Sequence, residues 1–272
     1  MNLMKNPSMP LISVIMPVYN AEKKVRAAVE SVLSQSYPNL ELIIINDGSR
    51  DGSLAVCQAL ARQDSRIRLI DQPNGGCAAA RNRGLDEMQG EYLMFVDSDD
   101  RLAPNACRQL VDALGESDLV IAHYYFELGE ARAEKGLLNG NRVLNESEFF
   151  DELIKRPGAF YFSALWNKIY RVALVRQLGL RFDPFLRWGE DFAFNMQYNR
   201  AVHQAALLDV PVYHYVKDVT GASMSWALNI PQSIRIKARL YRLFKALYAE
   251  KGLYRQHRLM IRRYIFNVTL TD

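Results

Sequence analysis

The sequence predicts an α/β protein built on a mainly parallel sheet with helices on both faces, plus a helical extension at its C-terminal end. Three observations lead there. Short apolar runs alternate with stretches of helical periodicity through the first hundred residues. Those runs are apolar at nearly every position, as strands buried on both faces are. Each run then stops at a polar cluster. A chain of 272 residues can bury one large domain, or one domain with an appendage. Its 49% hydrophobic and 24% charged content excludes a disordered protein.

Leu11–Met16 is the first apolar run; Pro17 ends it and Val18-Tyr19-Asn20 follows as a loop. Between Ala21 and Gln35, Val25, Ala28, Val29, Val32 and Leu33 recur at helical spacing, until Pro38 and Asn39 break the pattern. Leu40–Ile45 reads as a second strand, ending at Asn46-Asp47-Gly48-Ser49. Asp51 is placed to cap a helix whose apolar positions include Leu54, Ala55, Leu60 and Ala61. Ile67–Ile70 forms a third strand, Pro73-Asn74-Gly75-Gly76 a loop, and Ala78–Met88 a helix. Tyr92–Val96 is the fourth strand, and it stops at Asp97-Ser98-Asp99-Asp100.

Ligands of open parallel sheets bind at the carboxyl ends of the strands. All four polar clusters fall on that edge. Each alone is an ordinary turn, and their shared position is the functional signal. Three carboxylates in four residues repel one another unless a cation neutralises them. Oxygen-only ligands suit Mg²⁺ or Mn²⁺, while a solvated acidic turn before the helix near Pro104 is the other reading of this tetrapeptide. No Gly-x-Gly-x-x-Gly follows the first strand and no P-loop sequence occurs, which excludes the common dinucleotide and nucleoside-triphosphate frameworks.

In the second half, Asn105–Leu114 reads as a helix, Leu119–Tyr125 as a strand, and the polar Gly129–Asn141 as a hairpin. Asn145 followed by Glu148 forms a capping box ahead of Phe149 and Phe150. Trp188-Gly189-Glu190-Asp191-Phe192 opens a helix with two carboxylates, which the helix dipole alone would favour. Ala206–Val212 is an apolar run leading to Tyr213-His214-Tyr215, and Thr220–Ser225 has the composition of a loop able to close over a ligand. Ile236, Leu240, Leu243, Phe244 and Leu247 make one helical apolar face; Gly252 ends that helix and Leu259–Phe266 begins another.

Taken together, Pro17-Val18-Tyr19-Asn20, Asn46-Asp47-Gly48-Ser49-Arg50-Asp51, Asn74-Gly75-Gly76 with Ala80-Arg81-Asn82 and Gly84, and Asp97-Ser98-Asp99-Asp100 resemble the nucleotide-binding half of GT-A fold glycosyltransferases of family 2. Order and separations match, and the resemblance covers about Pro10 to Tyr215. It implies a GT-A (Rossmann-like) fold with a nucleotide-sugar-binding half over residues 1–104, an acceptor-binding half over 105–230 and the basic helical extension over 231–272. It further implies an inverting transferase that moves a sugar from a UDP-sugar to a hydroxyl of a lipid-linked glycan, in synthesis of a capsule, O-antigen or exopolysaccharide.

By the same resemblance, Pro17, Tyr19, Asp47, Asn74, Arg81, Asp97 and Ser98 bind the nucleotide, with Tyr19 and Asp47 lining the uracil pocket. Asp97 and Asp99 hold Mn²⁺ or Mg²⁺, which stabilises a departing nucleoside diphosphate. His214 is a further candidate ligand, with a capped strand-end histidine as the alternative. Asp191 matches the general base, so that one carboxylate faces a metal-held leaving group and displacement inverts the anomeric centre. At a helix start its charged form is expected to be favoured at neutral pH. Trp166, Lys168, Trp188 and Glu190 fall on the acceptor side; for Trp166 a core aromatic is the equal alternative. A non-catalytic sugar-nucleotide-binding or scaffolding protein is the rival reading, and the joint presence of Asp47, Asp97, Asp99 and Asp191 argues for activity.

The net charge of +4 conceals an asymmetry: from Pro231 onward ten Lys or Arg face only Glu250 and Asp272, a local +8 that leaves −4 for the first 230 residues. The tail is read either as a packed helical pair with solvated arginines or as an anchor on an anionic membrane. Nucleic acid is the poorer account of its Tyr and Arg residues, and none is expected as a partner. No run reaches the ~18 apolar residues of a membrane span, and Met1–Pro10 lacks a signal-peptide core. The expected place is the cytoplasm, with the tail at the inner face of the membrane. Cys57, Cys77 and Cys107 read as reduced thiols, and Asn267-Val268-Thr269 as a chance sequon.

Overall fold

The computed structural model describes residues 9–137, 139–217 and 230–267. The Thr220–Ser225 stretch, Met1–Ser8 and Val268–Asp272 lie outside them. Strand and helix alternate first as β1 (Ile12–Val18), α1 (Val25–Leu33), β2 (Leu40–Asp47), α2 (Ser53–Ala61), β3 (Ile67–Gln72), α3 (Cys77–Glu87) and β4 (Tyr92–Phe95). A short β5 (Arg101–Leu102), α4 (Ala106–Leu114), the hairpin β6 (Leu119–Leu128) and β7 (Ala131–Lys135), and β8 (Arg142–Asn145) follow. Next come α5 (Glu146–Leu153), α6 (Phe160–Ser163), β9 (Lys168–Arg171), α7 (Val172–Gln177), α8 (Glu190–Tyr198) and the long β10 (Gln204–Lys217). The chain closes with α9 (Ile230–Glu250) and α10 (Tyr254–Asn267).

Ten strands form one sheet, in the order β3-β2-β1-β4-β9-β6-β10-β5 with β7 on β6 and β8 on β10. The first four strands pair in parallel. β9 runs antiparallel between β4 and β6, so the sheet is mixed beyond its first half. Alternate residues feed two cores. Val14, Met16, Leu42 and Ile44 face α1, α2 and α4, while Ile15, Ile43, Ile45 and Phe95 face α3, α8 and the C-terminal helices. Phe95 alone meets Tyr170, Phe182 and Phe194 edge-on at 5.5–6.0 Å, contacts that each add about 0.5–1.5 kcal/mol to the burial.

Four local expectations change. Pro17 does not end β1, which runs on to Val18. Ile15 O accepts from Val96 N, so the amide of Pro17, two residues later, faces the side where β4 has already finished, and no ladder donor is lost. The first helix starts at Val25 instead of Ala21, because Ser53 Oγ and Asp51 Oδ2 take the amides of Ala21 and Glu22 at 2.7 and 3.1 Å. Asp51 therefore bridges two loops, and the N-cap of α2 is Gly52. By contrast the capping box of Asn145 and Glu148 is present as the sequence predicts, and all three cysteines are free; the hairpin expected within Gly129–Asn141 forms instead between β7 and a β6 that runs on past Tyr125 to Leu128.

The C-terminal helices are part of the core. Ile236, Leu240, Phe244, Leu247 and Tyr248 of α9, with Ile261 and Tyr264 of α10, are buried against the α8 side of the sheet. At about 1.5–3 kcal/mol per large apolar side chain, this face is a main support of α8. Tyr248 donates to Phe150 O at 2.8 Å, and Lys251 Nζ reaches Glu146 at 2.6 Å. No helix among the described residues is long and apolar enough to cross a membrane.

Candidate active site

The ends of β1, β2 and β4 and the start of α3 enclose a cleft of 870 Å³. Its loops are zipped together by side chain to backbone bonds. Asn20, at a φ of +50°, accepts from Arg50 N at 2.8 Å, and Glu22 accepts from Gly52 N at 3.0 Å. Pro17, Tyr19, Asp47, Asn74, Arg81, Asp97, Ser98 and Asp99 all line this cleft, so the sequence motifs converge as predicted. Tyr19 is 48% exposed and presents its ring to the opening.

Asp47 is buried, and three of the four lone-pair directions of its carboxylate are taken. Oδ1 accepts from Gln72 Nε2 at 2.7 Å and Gly75 N at 2.9 Å; Oδ2 accepts from Gly76 N at 2.8 Å. Asn74 completes the knot by donating to Asp47 O at 2.9 Å. The carboxylate thus builds the loop that enters α3 and keeps one acceptor position on Oδ2 for a ligand.

Arg81, on the second turn of α3, is the hub. Its side chain is 4% exposed, and its guanidinium reaches Asp97 at 3.1 Å, Glu190 at 3.1 Å and Asp191 at 2.5 Å. α3 can seat this cation so deep because it rides close on β1. A Cβ at Gly84 would stand 2.5 Å from Ile15 Cγ2. One buried cation among three carboxylates joins elements 110 residues apart.

The four-residue acidic turn divides by burial. Asp97 and Asp99 open to the cleft, Asp97 sharing Oδ1 with Arg81 and Asp99 lying 4.0 Å from Lys24. Asp100 is buried, accepts from Tyr213 Oη at 2.9 Å and Val216 N at 2.7 Å, and so pins the turn to β10. Burial pushes its carboxyl well above the usual range, and the charges of Asp97 and Asp99 act in the same direction. Asp97 and Asp99 fit a hard cation that keeps several ligands from water and substrate phosphate. His214 lines neither cleft: its Nδ1 stands 2.8 Å from Glu127 and its ring lies tilted by 34° against Tyr125.

A second cleft of 320 Å³ adjoins the first and shares Arg81 and Asp97 with it. Trp166, Trp188, Glu190 and Asp191 line it. Trp166 is a buried core aromatic, nearly parallel to Tyr213 and Tyr215 at 4.6 and 5.5 Å, and it also forms a wall of the cleft. Lys168 lies behind the wall, with Nζ donating to Tyr161 O, Ala164 O and Asn167 Oδ1 at 2.7–2.8 Å. Burial pushes its ammonium well below the ordinary lysine range, against the opposing charge of Asp191.

Asp191 is the second residue of α8, whose N-cap Gly189 has a φ of +74°. A Cβ there would also stand 2.6 Å from Leu240 Cδ1, so α9 packs directly under the carboxylates. Burial pushes the Asp191 carboxyl up to about 8; Arg81 pulls it down, and Glu190 and Asp97 push it further up. Burial thus acts against the dipole of the helix start. A terminal dipole contributes about 0.3–1 kcal/mol at the surface, too little to offset desolvation beside two like charges.

Several lining residues escaped the sequence reading: Lys23 and Lys24 in the larger cleft, and Phe160, Arg187 and Tyr215 in the smaller. The two lysines carried a signal, a paired positive charge just after the first strand. Phe160 and Arg187 carried none.

The parallel β1–β4 layer, the loop-lined cleft at its carboxyl edge and the acidic turn after β4 define a glycosyltransferase of the GT-A fold. The sequence profile described as Glycosyl transferase family 2 matches residues 13–179, more than half of the chain, and the protein belongs to that family. It is 32% identical over 209 residues to glycosyltransferase EpsJ of Bacillus subtilis, covering 76% of this chain and 61% of EpsJ. It is 35% identical over 214 residues to an uncharacterized glycosyltransferase of Haemophilus influenzae, covering 77% of this chain and 80% of that protein. The chain spans about three fifths of the length of EpsJ and of EpsH from the same Bacillus. The structure of S. aureus TarS 1–349 in complex with UDP-GlcNAc superposes with a TM-score of 0.78 over 95% of this chain and 73% of that one, at 22% identity.

Proposed function

We propose that the protein is an inverting glycosyltransferase that moves a sugar from a UDP-sugar to a hydroxyl of a lipid-linked glycan acceptor in synthesis of a bacterial surface polysaccharide. The observation that carries this is the meeting of two clefts at Arg81 and Asp97, with Asp97 and Asp99 on one side and Asp191 on the other. The larger cleft, in the half spanning 1–104, takes the nucleotide: Tyr19 stacks on the base and the free position on Asp47 Oδ2 accepts from a ring N–H. Lys23 and Lys24 supply positive charge beside the diphosphate. Asp97 and Asp99 hold Mn²⁺ or Mg²⁺, which supplies charge stabilisation to the departing UDP. His214 is left out of the ligand set because it lines neither cleft.

The smaller cleft, in the half spanning 105–230, takes the acceptor. Arg81 grips Asp191 through Oδ1, which leaves Oδ2 to receive the acceptor hydroxyl proton. Trp166 and Trp188 wall the acceptor sugar, and Glu190 holds the neighbouring hydroxyl. Attack from Asp191's side, opposite a diphosphate leaving into the larger cleft beside Lys23, Lys24 and Arg81, gives inversion: the acceptor hydroxyl gives its proton to Asp191 as UDP departs, and an α-linked donor yields a β-linked product. Segment 231–272 contributes its packed face to the core and its exposed arginines to an anionic membrane surface.

A panel of UDP-sugars with and without Mn²⁺ tests the reading. Metal-dependent UDP release with one preferred donor is expected. Tight UDP-sugar binding without turnover on any donor or acceptor would instead establish the scaffolding alternative.

A further inference from the structure

Away from both clefts, where β6, β7 and β10 meet, three side chains converge on one point. His123 Nδ1 lies 3.1 Å from Glu134 Oε1 and 3.2 Å from Asp209 Oδ1. Their ligand atoms form the single such group of His, Cys, Asp or Glu found within metal-binding reach among the described residues. We propose that His123, Glu134 and Asp209 bind a divalent cation, Zn²⁺ by the chemistry of the set, and that the ion staples the hairpin β6–β7 to β10.

Four features carry this. One ring nitrogen faces two carboxylates, and a single N–H cannot donate well to both; a cation accepts all three donors and offsets the repulsion between the acids. The spacing fits as well. Tetrahedral Zn²⁺ with bonds of about 2.0–2.1 Å sets its ligand atoms roughly 3.3 Å apart, close to the two observed distances.

The backbone is shaped around the group. β10 slips register against β6 between Leu208 and Pro211, and Pro211 pairs with His123. The irregularity falls on Asp209 and turns its side chain to the histidine, the kind of re-aiming for which bulges are kept. On the other side, a Cβ at Gly136 would stand 2.1 Å from His123 Nε2, so the chain after β7 closes over the imidazole as only glycine allows.

The fourth feature is an orphaned hydroxyl. Tyr161 is 2% exposed, packs edge-on to His123 at 5.9 Å, and its buried Oη has no hydrogen-bond partner. Burial raises its pKa, and the charge of Asp209 raises it further. A water on the fourth position of the ion gives this hydroxyl the partner it lacks. The staple would then lie at the root of the strand that carries Tyr213 and Tyr215 to Trp166.

The test uses the full chain without a metal-binding tag, stripped with EDTA and titrated calorimetrically with Zn²⁺, Mn²⁺ and Mg²⁺. One Zn²⁺ per chain is expected in the absence of nucleotide, and Asp99→Asn should retain it, separating this site from the acidic turn. Zn²⁺ at a hundred times its Kd should raise Tm by about 5–10 °C. Glu134→Gln is the principal variant because Glu134 is 48% exposed and its amide fits the same space. It and Asp209→Asn should weaken binding by roughly 100-fold. Absence of stoichiometric Zn²⁺ binding, or unchanged affinity in both folded variants, overturns the proposal and leaves a histidine ion-paired to two acids.

Discussion

β1 to β4 pair in parallel, and each lies beside a strand near it in sequence or one crossover away; β9, β6 and β10 join strands distant in the chain, mostly antiparallel. The first region presents its polar residues on loops at strand ends, where local turn chemistry sets their positions. The second presents Asp191 on a helix, Tyr215 on a strand and Trp166 on the turn that leads into β9, all held by long-range packing, including Gly189 against Leu240. The contrast teaches that one region's site is built by loops that its own short sequence specifies. The other site exists only once the C-terminal helices have docked.

The sharpest way to break this comparison is to remove the basicity of the second region while keeping the first intact. Asp191→Asn should lower kcat by roughly 10²–10⁴, the range for general-base catalysis, with UDP and Mn²⁺ affinity nearly unchanged. Near-normal transfer by this variant would refute the assignment and move attention to Glu190.

The converse change acts on the first region. Asp99→Asn should cost about 10²–10³ in turnover, in line with loss of one element of leaving-group stabilisation. It should weaken UDP binding in Mn²⁺ far more than in EDTA. Equal metal dependence in both proteins would exclude Asp99 as a ligand.

A pH profile sharpens the same division. The Asp191 carboxyl, raised by burial to about 8, is the base only when deprotonated. Activity should therefore be present above that pH and fall as pH drops through it, by about tenfold per unit. UDP affinity should not follow that limb. A profile flat from pH 6 to 9 would show that Asp191 is ionised throughout.

The smallest effect concerns the tail. Because α9 packs into the core, deleting it would unfold the acceptor side, so the membrane reading is better tested by charge. Arg255, Arg258, Arg262 and Arg263 are exposed on α10. Each Arg→Gln change should weaken binding to anionic liposomes by about fivefold at low salt, from roughly 1 kcal/mol per charge. Unchanged partitioning would reduce the helices to their packing role.

Much of this was legible in the chain. Apolar runs such as Leu40–Ile45 read as buried strands, and turn residues such as Asn74-Gly75-Gly76 declare themselves by type, so the succession of β1–β4 and the motif residues of the larger cleft were legible, while Lys23 and Lys24 were not. Local chemistry also fixes the Asn145–Glu148 cap. What tertiary structure alone decided is the electrostatics. The resemblance singles out Asp97 and Asp99 without a physical ground; folding supplies one, burying Asp100 on Tyr213 and leaving the other two open. Sequence gives Arg81 no partners; Asp97, Glu190 and Asp191 become its partners only through packing between elements up to 110 residues apart. The reason is physical: periodicity and turn preference are short-range properties written in neighbouring residues, whereas desolvation and charge pairing depend on what the rest of the chain places within a few ångströms.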